Sequence, residues 1–426
     1  MNKAIRRPKA LRGEVSPPGD KSLTHRALLF NAIANGTAKV TNYSRGADCL
    51  STMACLKALG ARIQEDGSTL TIHGSSGEGL TEPVDVLNAG NSGTTIRLIS
   101  GLLATTPFLS VITGDSSLRS RPMGRLAEPL RLMGAQIWGR RGDTLAPLAI
   151  KGGHLKGINY RLPVASAQIK SAVLIAGLFA SSETTVEEPM LSRDHTERMF
   201  AAMGVKLQQR GCATTIAPGP LSSVDVRVPG DISSAAYWLL AGVLHPNAQV
   251  RVTGVGVNPT RTGILDVLSQ MGAEVSVENR QESGGEPVAD IIVSSSMLHG
   301  VEVSGPLIPR TIDELPLVAL AGCFASGTTV IKDASELRVK ESDRISATVQ
   351  ELSKLGAKIE ELPDGMVIHG GHRLTGAECV SHGDHRLAMT LGVAGLAIQG
   401  ETVIHDAEAV EISYPEVWND LEKLCR

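Results

Sequence analysis

One phrase, repeated six times, constrains the fold of this chain more than any other feature. Each copy is a mostly apolar segment of helix length, followed by a turn of small residues and a short β-branched strand. Successive copies lie roughly 65 to 80 residues apart, which is too long for a solenoid repeat. The copies begin at Ser22, Ser92, Ser166, Asp231, Thr311 and Asp384. We therefore expect six related α/β units.

A second phrase alternates with the first. It is an amphipathic helix that ends at a glycine, placed to cap the helix C-terminus, and is followed by a strand. Its five copies are CLKALGARI, LRLMGAQI, MFAAMGVKL, VLSQMGAEV and LSKLGAKI. The sixth amphipathic helix, which starts near Tyr414, has no strand after it. We predict that the stretch before Pro17 supplies the missing strand.

This N-terminal strand makes one of the predicted domains discontinuous. The chain has 426 residues, more than one hydrophobic core usually serves. We predict an α/β protein of two domains with three units each, formed by residues 21–234 and by residues 1–20 plus 235–426. The chain crosses between them at PPGDKS and VPGDISS. These two segments are either a paired hinge or simply strand-to-helix corners.

Composition excludes several classes of function. The formal net charge is −3 and aromatic residues make up 3%, so nothing favours nucleic acid as a partner. No uncharged apolar run approaches the ~20 residues of a membrane span, and no apolar signal-peptide core follows the basic N-terminus. The six cysteines form no CxxC pair, which indicates reduced structural thiols. We expect a cytoplasmic protein with no membrane partner.

Polar and cationic residues gather where the apolar helices are predicted to begin. A helix start presents unpaired backbone N–H groups, which can bind phosphate or carboxylate. Lys21 and Ser22 open the first helix, and Arg26 shares a face with Ser22. The segment NAGNSGTTIR opens the second helix, where Gly93 would let a ligand approach the backbone. Taken singly, NAGNSGTTIR is explained equally well by helix capping, and capping with a solvated lysine is the better explanation of Lys21-Ser22.

Three arginines surround a proline in LRSRPMGR. We expect Arg119, Arg121 and Arg125 to lie at the first turn of a helix. The helix dipole favours acids at that position, so the cations indicate an anionic ligand.

Later helix starts repeat the pattern in SAQIK, SRDHTER, TIDEL, RVKESDR and GDHR. In RVKESDR, Glu341 and Arg344 are three residues apart and could form an ordinary surface ion pair. Alternatively, Glu341 and Asp313 of TIDEL could divide the acid and base roles beside a bound anion. No HxxxH or His–Cys cluster indicates a metal site.

Seven of these segments together resemble the 5-enolpyruvylshikimate-3-phosphate (EPSP) synthase family. They are PPGDKSLTHR, NAGNSGTTIR, RPMGR, SAQIKSA, RDHTERM, LRVKESDR and GDHRLAM. They occur in that order over almost the whole chain, which makes the resemblance highly specific. It implies an inside-out α/β barrel fold with two domains of three repeated units each. It also implies transfer of the enolpyruvyl group from phosphoenolpyruvate to the 5-hydroxyl of shikimate 3-phosphate, in a monomer that uses no cofactor and no metal.

The resemblance also implies roles for individual residues. Shikimate 3-phosphate is expected to contact Ser22, Arg26, Ser166, Ala167, Arg193, Asp313 and Lys340. Phosphoenolpyruvate is expected to contact Lys21, Gly93, Arg121, Gln168, Arg344 and Arg386. In the implied mechanism, Asp313 accepts the proton of the attacking hydroxyl and Glu341 exchanges the proton at the methylene carbon. The two lysines, Lys21 and Lys340, are their electrostatic partners.

The two branches of the family predict different responses to the inhibitor glyphosate. Ala167 and Ile412 resemble the second branch, which is often tolerant of glyphosate. Gly93 resembles the sensitive enzymes. The sequence leaves the response to the inhibitor open.

Two other functions compete with this one. An enolpyruvyl transferase for UDP-N-acetylglucosamine resembles this fold, but it usually has Lys-Asn in place of Lys21-Ser22 and carries a mobile loop with a reactive Cys or Asp. The second alternative is a non-catalytic protein that binds phosphorylated metabolites. The presence of both Asp313 and Glu341 argues against it, since a binder of anions gains nothing from acids beside them.

Overall fold

The structure is a computed structural model that describes residues 1–76 and 79–425. The helices of this part of the chain are α1 (Lys21–Ile33), α2 (Ala47–Ala58), α3 (Gly93–Leu103), α4 (Gly124–Met133), α5 (Arg140–Asp143), α6 (Ala167–Leu178), α7 (His195–Ala202), α8 (Ile232–Leu244), α9 (Gly263–Gln270), α10 (Leu307–Thr311), α11 (Leu315–Phe324), α12 (Arg344–Lys354), α13 (His385–Ala397) and α14 (Val417–Leu424). Short 3₁₀ turns cover Leu118–Ser120, Ser335–Val339 and Ala407–Ile412.

The strands are β1 (Lys3–Arg6), β2 (Leu11–Val15), β3 (Thr37–Thr41), β4 (Arg62–Asp66), β5 (Thr69–His73), β6 (Leu87–Asn88), β7 (Leu109–Thr113), β8 (Gln136–Gly139), β9 (Leu145–Lys151), β10 (Asn159–Arg161), β11 (Thr184–Glu187), β12 (Leu207–Arg210), β13 (Ala213–Ile216), β14 (Val226–Arg227), β15 (Ala248–Gly256), β16 (Val275–Ser283), β17 (Glu286–Ser294), β18 (Glu302–Val303), β19 (Thr328–Ile331), β20 (Lys358–Leu362), β21 (Gly365–His369), β22 (Glu378–Val380) and β23 (Glu401–His405).

The six apolar phrases form the six most buried helices, α1, α3, α6, α8, α11 and α13. A helix that is apolar on every face must be covered on every face, so polar groups are left mainly for its ends. Five of the six begin with a side-chain cap that accepts a backbone N–H. The capping residues are Asp20, Ser92, Ser166, Asp231 and Asp384.

The amphipathic phrases also form the predicted helices. Each of the five that precede a strand is followed by a glycine with positive φ, between 85° and 117°. A residue with a Cβ pays a steric cost in this conformation, so glycine ends the helix and turns the chain into the strand. These glycines are Gly60, Gly134, Gly204, Gly272 and Gly356.

The described residues, 1–76 and 79–425, form six sheets, which match the six predicted units. Five have four strands, in which a parallel pair is extended by an antiparallel hairpin, as in the order β6–β7–β9–β8. The sixth has three strands, in the order β1–β23–β22. Its β1 comes from the N-terminus and pairs antiparallel with β23, which confirms the predicted source of the missing strand.

Two strands pair with strands that are distant in the sequence. The strand before α1 is β2, and it pairs in parallel with β15. The strand before α8 is β14, and it pairs in parallel with β3. At both Pro-Gly-Asp segments, therefore, the strand joins one half and the helix that follows joins the other.

Contacts divide the described chain into two units, each with its own hydrophobic core. The inserted unit comprises residues 19–228 and 283–286, and the discontinuous unit comprises residues 1–18, 229–282 and 287–425. The sequence placed the transitions after residues 20 and 234. It also assigned residues 283–286, at the turn between β16 and β17, to the discontinuous domain, whereas their contacts place them in the inserted unit. In that turn, the Glu286 carboxylate lies 2.8 Å from Nδ1 of His195 in α7, so its polar contacts lie with the inserted unit.

No helix of the described chain combines the length and the apolarity needed to cross a membrane.

Two buried helices of the inserted unit pack closely at Gly101 of α3. A Cβ at this position would lie 2.5 Å from the carbonyl oxygen of Ala172 and 2.8 Å from its Cα. We expect Gly101→Ala to lower the free energy of unfolding by about 1 to 3 kcal/mol, because the backbones would have to separate. Urea unfolding of the variant measures the loss.

Gly124→Ala is the matched control. Its Cβ would meet no atom closer than 3.5 Å, so the same exchange should leave stability unchanged or slightly increased. Equal losses in the two variants would contradict close packing of α3 against α6.

Candidate active site

A lysine and an aspartate form an ion pair at the start of α1. Nζ of Lys21 lies 2.9 Å from Oδ2 of Asp48, near the start of α2. A cation is unfavourable at a helix N-terminus, so the Asp48 carboxylate compensates for its placement. The Lys21 side chain keeps 14% of its surface exposed, against 6% for Asp48. The ammonium is therefore oriented from within the protein but accessible from outside.

A chain of hydrogen bonds joins α1, α2 and α3 near this pair. Nδ1 of His25 lies 2.7 Å from Thr52 Oγ1, which lies 2.7 Å from Thr95 Oγ1. The Thr95 hydroxyl in turn lies 2.8 Å from the capping oxygen of Ser92. Burial, with the charges of Lys21 and Arg26, lowers the pKa of His25 well below its ordinary value. The imidazole is neutral and acts as a hydrogen-bonding link between α1, α2 and α3.

The absence of a side chain at Gly93 makes room for two guanidinium groups. A Cβ here would lie 2.7 Å from Nη1 of Arg97 and 3.2 Å from Nη1 of Arg121. Arg97 Nη1 donates to Oε1 of Gln168 at 2.5 Å, and Gln168 Nε2 donates to Thr94 Oγ1 at 2.8 Å. Gly93, Arg121 and Gln168 thus lie in one cluster at the starts of α3 and α6. Arg97 belongs to the same cluster but was not among the predicted site residues.

The position expected for the LRSRPMGR arginines is partly wrong. Arg119 lies in the 3₁₀ turn Leu118–Ser120, Arg121 directly follows it, and only Arg125 lies in the first turn of α4. Arg121 does not lie at a helix start, so the dipole argument for an anionic ligand does not apply to it. The Arg121 side chain is nevertheless buried, and its Nη2 donates to Oδ1 of Asn91 at 2.6 Å.

Arg26 is buried, and its guanidinium group donates hydrogen bonds to neighbouring groups of the protein. It donates to Thr196 Oγ1 at 2.7 Å, to Ser171 Oγ at 2.8 Å and to the Ser22 carbonyl at 2.9 Å. Burial lowers the pKa of Arg26 to about 10, so the group stays charged at neutral pH. Arg26 links α1 to α6 and α7, a role that its spacing from Ser22 did not reveal.

The start of α6 and the segment before α7 carry the remaining predicted residues of the inserted unit. Ser166 caps α6, since its Oγ accepts from the backbone of Ile169. Ala167 is the first residue of the helix, where backbone N–H groups have no partner within the helix. Arg193 is half-buried, two residues before the first residue of α7.

Arg344 is the centre of a second cluster, in the discontinuous unit. Its guanidinium lies 2.7 Å from Asp384, 2.5 Å from Glu341 and 3.3 Å from Asp313. Burial acts to lower the pKa of Arg344, but the Asp384 and Glu341 carboxylates raise it more. The Arg344 side chain is 2% exposed, so the expectation of an ordinary surface pair between Glu341 and Arg344 is wrong. The pair exists, but it is part of a buried network.

Asp313 is surrounded by cations. Its carboxylate lies 3.3 Å from Arg344, 3.7 Å from Arg386 and 3.8 Å from Nζ of Lys340. Burial lowers the pKa of Arg386, but the charge of the Asp313 carboxylate acts against burial, and the net shift is well above the ordinary value. All five predicted residues of this unit, Asp313, Lys340, Glu341, Arg344 and Arg386, therefore belong to one network.

The cluster around Arg344 combines cations with the partly accessible carboxylates of Asp313 and Glu341, whereas the Lys21 ammonium pairs with the buried Asp48 carboxylate. Planar guanidinium groups suit carboxylate and phosphate ligands, and carboxylates beside them can transfer protons. Among residues 1–76 and 79–425, no group of three or more His, Cys, Asp or Glu side chains is placed to hold a metal ion. The chemistry available to these residues is anion binding with acid–base catalysis.

Comparisons with known proteins agree with this chemistry. Residues 5–421 match the family described as EPSP synthase (3-phosphoshikimate 1-carboxyvinyltransferase). A 3-phosphoshikimate 1-carboxyvinyltransferase of Desulforudis audaxviator is 56% identical over 98% of this chain and 97% of its own. The structure of an EPSP synthase from Acinetobacter baumannii has a TM-score of 0.88 and 43% identity, and covers 99% of this chain and 97% of that one. The enolpyruvyl transferase NikO from Streptomyces tendae shares the fold, with a TM-score of 0.80 at 21% identity over 99% of this chain and 96% of that one.

Asp384 provides a test of the second cluster. Burial raises the pKa of this carboxyl, but Arg344 lowers it further, so the folded-state pKa lies below the ordinary 3.8. The stabilisation is therefore present above the ordinary pKa and is lost as pH falls through the folded-state pKa. We expect Asp384→Asn to lower the free energy of unfolding at pH 7 by about 1.5 to 3 kcal/mol. The difference from the unmodified chain should shrink on acidification below about pH 4.

Denaturant unfolding between pH 7 and pH 3 measures this difference. Asp266→Asn is the control, because Asp266 forms a partly exposed pair with Arg310 and should change stability by less than about 0.5 kcal/mol. A pH-independent loss in Asp384→Asn would contradict the ionic role of this carboxylate.

Proposed function

Because the chain belongs to the EPSP synthase (3-phosphoshikimate 1-carboxyvinyltransferase) family, we propose that it transfers the enolpyruvyl group of phosphoenolpyruvate to the 5-hydroxyl of shikimate 3-phosphate. The products are 5-enolpyruvylshikimate 3-phosphate and phosphate, in the pathway to chorismate and the aromatic amino acids. The observation that carries the proposal is the network in which Asp313 and Glu341 both contact Arg344. It places two carboxylates beside a cation that suits a small anionic substrate.

Both substrates are anions. For shikimate 3-phosphate we assign Ser22, Arg26, Ser166, Ala167 through its backbone, Arg193, Asp313 and Lys340. For phosphoenolpyruvate we assign Lys21, Gly93, Arg121, Gln168, Arg344 and Arg386. The hydrogen bonds of Arg26 to Thr196 and Ser171 support a role for Arg26 in orienting its neighbours as well as in binding.

The reaction proceeds by addition and elimination. The 5-hydroxyl oxygen bonds to C2 of phosphoenolpyruvate, Asp313 accepts the hydroxyl proton, and Glu341 donates a proton to the methylene carbon. Elimination breaks the C2–O bond to phosphate, Glu341 takes back a proton from the methyl group, and the proton held by Asp313 leaves with the phosphate. Lys21 and Lys340 stabilise the charge that develops at the reacting groups. The protons and the leaving phosphate balance with no cofactor.

Several further features belong to the same proposal. The two units are the two domains of the enzyme, and the enzyme works as a monomer in the cytoplasm. Its partners are the two small-molecule substrates. The fold alone does not select them, because NikO is also an enolpyruvyl transferase and shares the fold at 21% identity. The choice of shikimate 3-phosphate and phosphoenolpyruvate as substrates therefore depends on the residues assigned to them.

We predict that phosphate is released only when phosphoenolpyruvate and shikimate 3-phosphate are supplied together. A coupled phosphate assay, with each substrate omitted in turn, measures this dependence. UDP-N-acetylglucosamine in place of shikimate 3-phosphate is the control acceptor and should support no release. Turnover with the nucleotide sugar but not with shikimate 3-phosphate would make the assignment wrong, and the same assay with glyphosate would establish the response to the inhibitor.

We predict that Glu341→Gln lowers kcat by about 10²- to 10⁴-fold while the KM values change little, since proton transfer at carbon depends on the carboxyl group. Steady-state kinetics for both substrates measure the split. Glu361→Gln is the control, because Glu361 pairs with Arg338 at an exposed site. A higher KM for phosphoenolpyruvate with unchanged kcat would instead show that Glu341 only orients Arg344.

A further inference from the structure

A buried ion cluster lies one turn inside α6 and has no part in the mechanism above. The Lys170 side chain is 2% exposed, and its Nζ lies 2.7 Å from Oε2 of Glu188 and 2.7 Å from Oε1 of Glu197. Burial lowers the pKa of Lys170, but the Glu197 and Glu188 carboxylates raise it more, so the net shift is upward. The ammonium is charged at neutral pH and holds two carboxylates at once.

The two glutamates stand on either side of Arg193 in the sequence. Glu188 directly follows β11, five residues before Arg193, and Glu197 lies in the first turn of α7, four residues after it. By holding both, Lys170 closes the intervening segment into a loop anchored on α6. The same helix begins with Ser166, Ala167 and Gln168, which are assigned to the substrates.

The loop is fixed independently near each end. On the N-terminal side, the Ser192 hydroxyl donates to Glu188 Oε1 and the Ser192 backbone N–H donates to Glu188 Oε2 at 3.4 Å. On the C-terminal side, Thr196 Oγ1 lies 2.6 Å from Ser171 Oγ. Only Arg193, Asp194 and His195 lie between these anchors. The backbone on both sides of Arg193 is therefore tied to α6, directly or through the Glu188 carboxylate.

An arginine that binds phosphate through a planar fork needs an accurately placed backbone, because an error of about 1 Å can cost on the order of 10²-fold. We propose that Lys170, through Glu188 and Glu197, is a positioning residue that holds Arg193 in place for shikimate 3-phosphate. The proposal rests on the proposed function, which assigns Arg193 to that substrate. Lys170 itself does not contact the reacting groups.

Glu188→Gln is the first test, because it leaves the Lys170–Glu197 pair intact and removes one of two buried negative charges, so the fold should be retained. We expect the KM for shikimate 3-phosphate to rise about tenfold or more. The kcat and the KM for phosphoenolpyruvate, measured at saturating shikimate 3-phosphate, should change less than about twofold. Lys170→Gln should show the same split, and Lys170→Arg should recover part of the affinity. Lys57→Gln, at an exposed pair with Glu65, should change nothing.

A double-mutant cycle separates positioning from general destabilisation. In an Arg193→Ala background, Glu188→Gln should raise the KM for shikimate 3-phosphate no further, since the residue through which it acts is gone. Equal effects in both backgrounds would overturn the proposal, and so would an unchanged KM in both Glu188→Gln and Lys170→Gln.

Hydrogen exchange tests the loop without relying on turnover. Backbone amides of residues 190–194 should exchange faster in Glu188→Gln and Lys170→Gln than in the unmodified chain, and unchanged exchange would overturn the anchoring. If the unmodified enzyme does not use shikimate 3-phosphate, the proposed function fails, while the exchange result still decides whether Lys170 anchors the loop.

Discussion

The arrangement of this protein depends on the burial of six helices that are apolar on nearly every face. Such a helix gives up the surface on which a soluble helix usually carries polar groups. Its first turn still has N–H groups that need acceptors, which capping oxygens and bound anions can supply. The side chains assigned to substrates lie mostly at or near these starts for this reason. The burial of these helices, which stabilises the two cores, thus also determines where substrate-binding side chains can lie.

Cations at helix starts oppose the helix dipole and lose solvation when they are buried. Carboxylates that form ion pairs with these cations compensate for this cost. Asp48 pairs with Lys21, and Asp384 pairs with Arg344. A pairing of this kind has two effects, because it stabilises the cation and restricts its orientation. Lys21 and Arg344 are therefore oriented by the protein itself, which would leave little reorganisation on binding a ligand.

The sequence predicts the repeats, the glycine-ended helices and the strand contributed by the N-terminus, because these depend on local patterns. It also predicts which helix starts carry cationic and acidic side chains. The network around Arg344 contains all the site residues that were predicted in the discontinuous unit. It does not predict partners that are fixed by tertiary packing. Asp48 and Arg97 carry no distinctive local signal, and Arg26 turns toward Thr196, which is 170 residues away in the sequence. The position of Arg121 was wrong because a short 3₁₀ turn, which has almost no sequence signature, precedes it.

The pairing of β1 with β23 has a consequence for the order in which the chain can assemble. Lys3 faces Ile404 in this ladder, so a segment synthesised before the inserted unit pairs with a segment synthesised after it. The inserted unit takes its strands from residues 37–227 and lacks only the turn that carries Glu286. Much of it can form while the remainder is still being synthesised. The discontinuous unit has to wait, with β1 unpaired, until the C-terminal segment arrives.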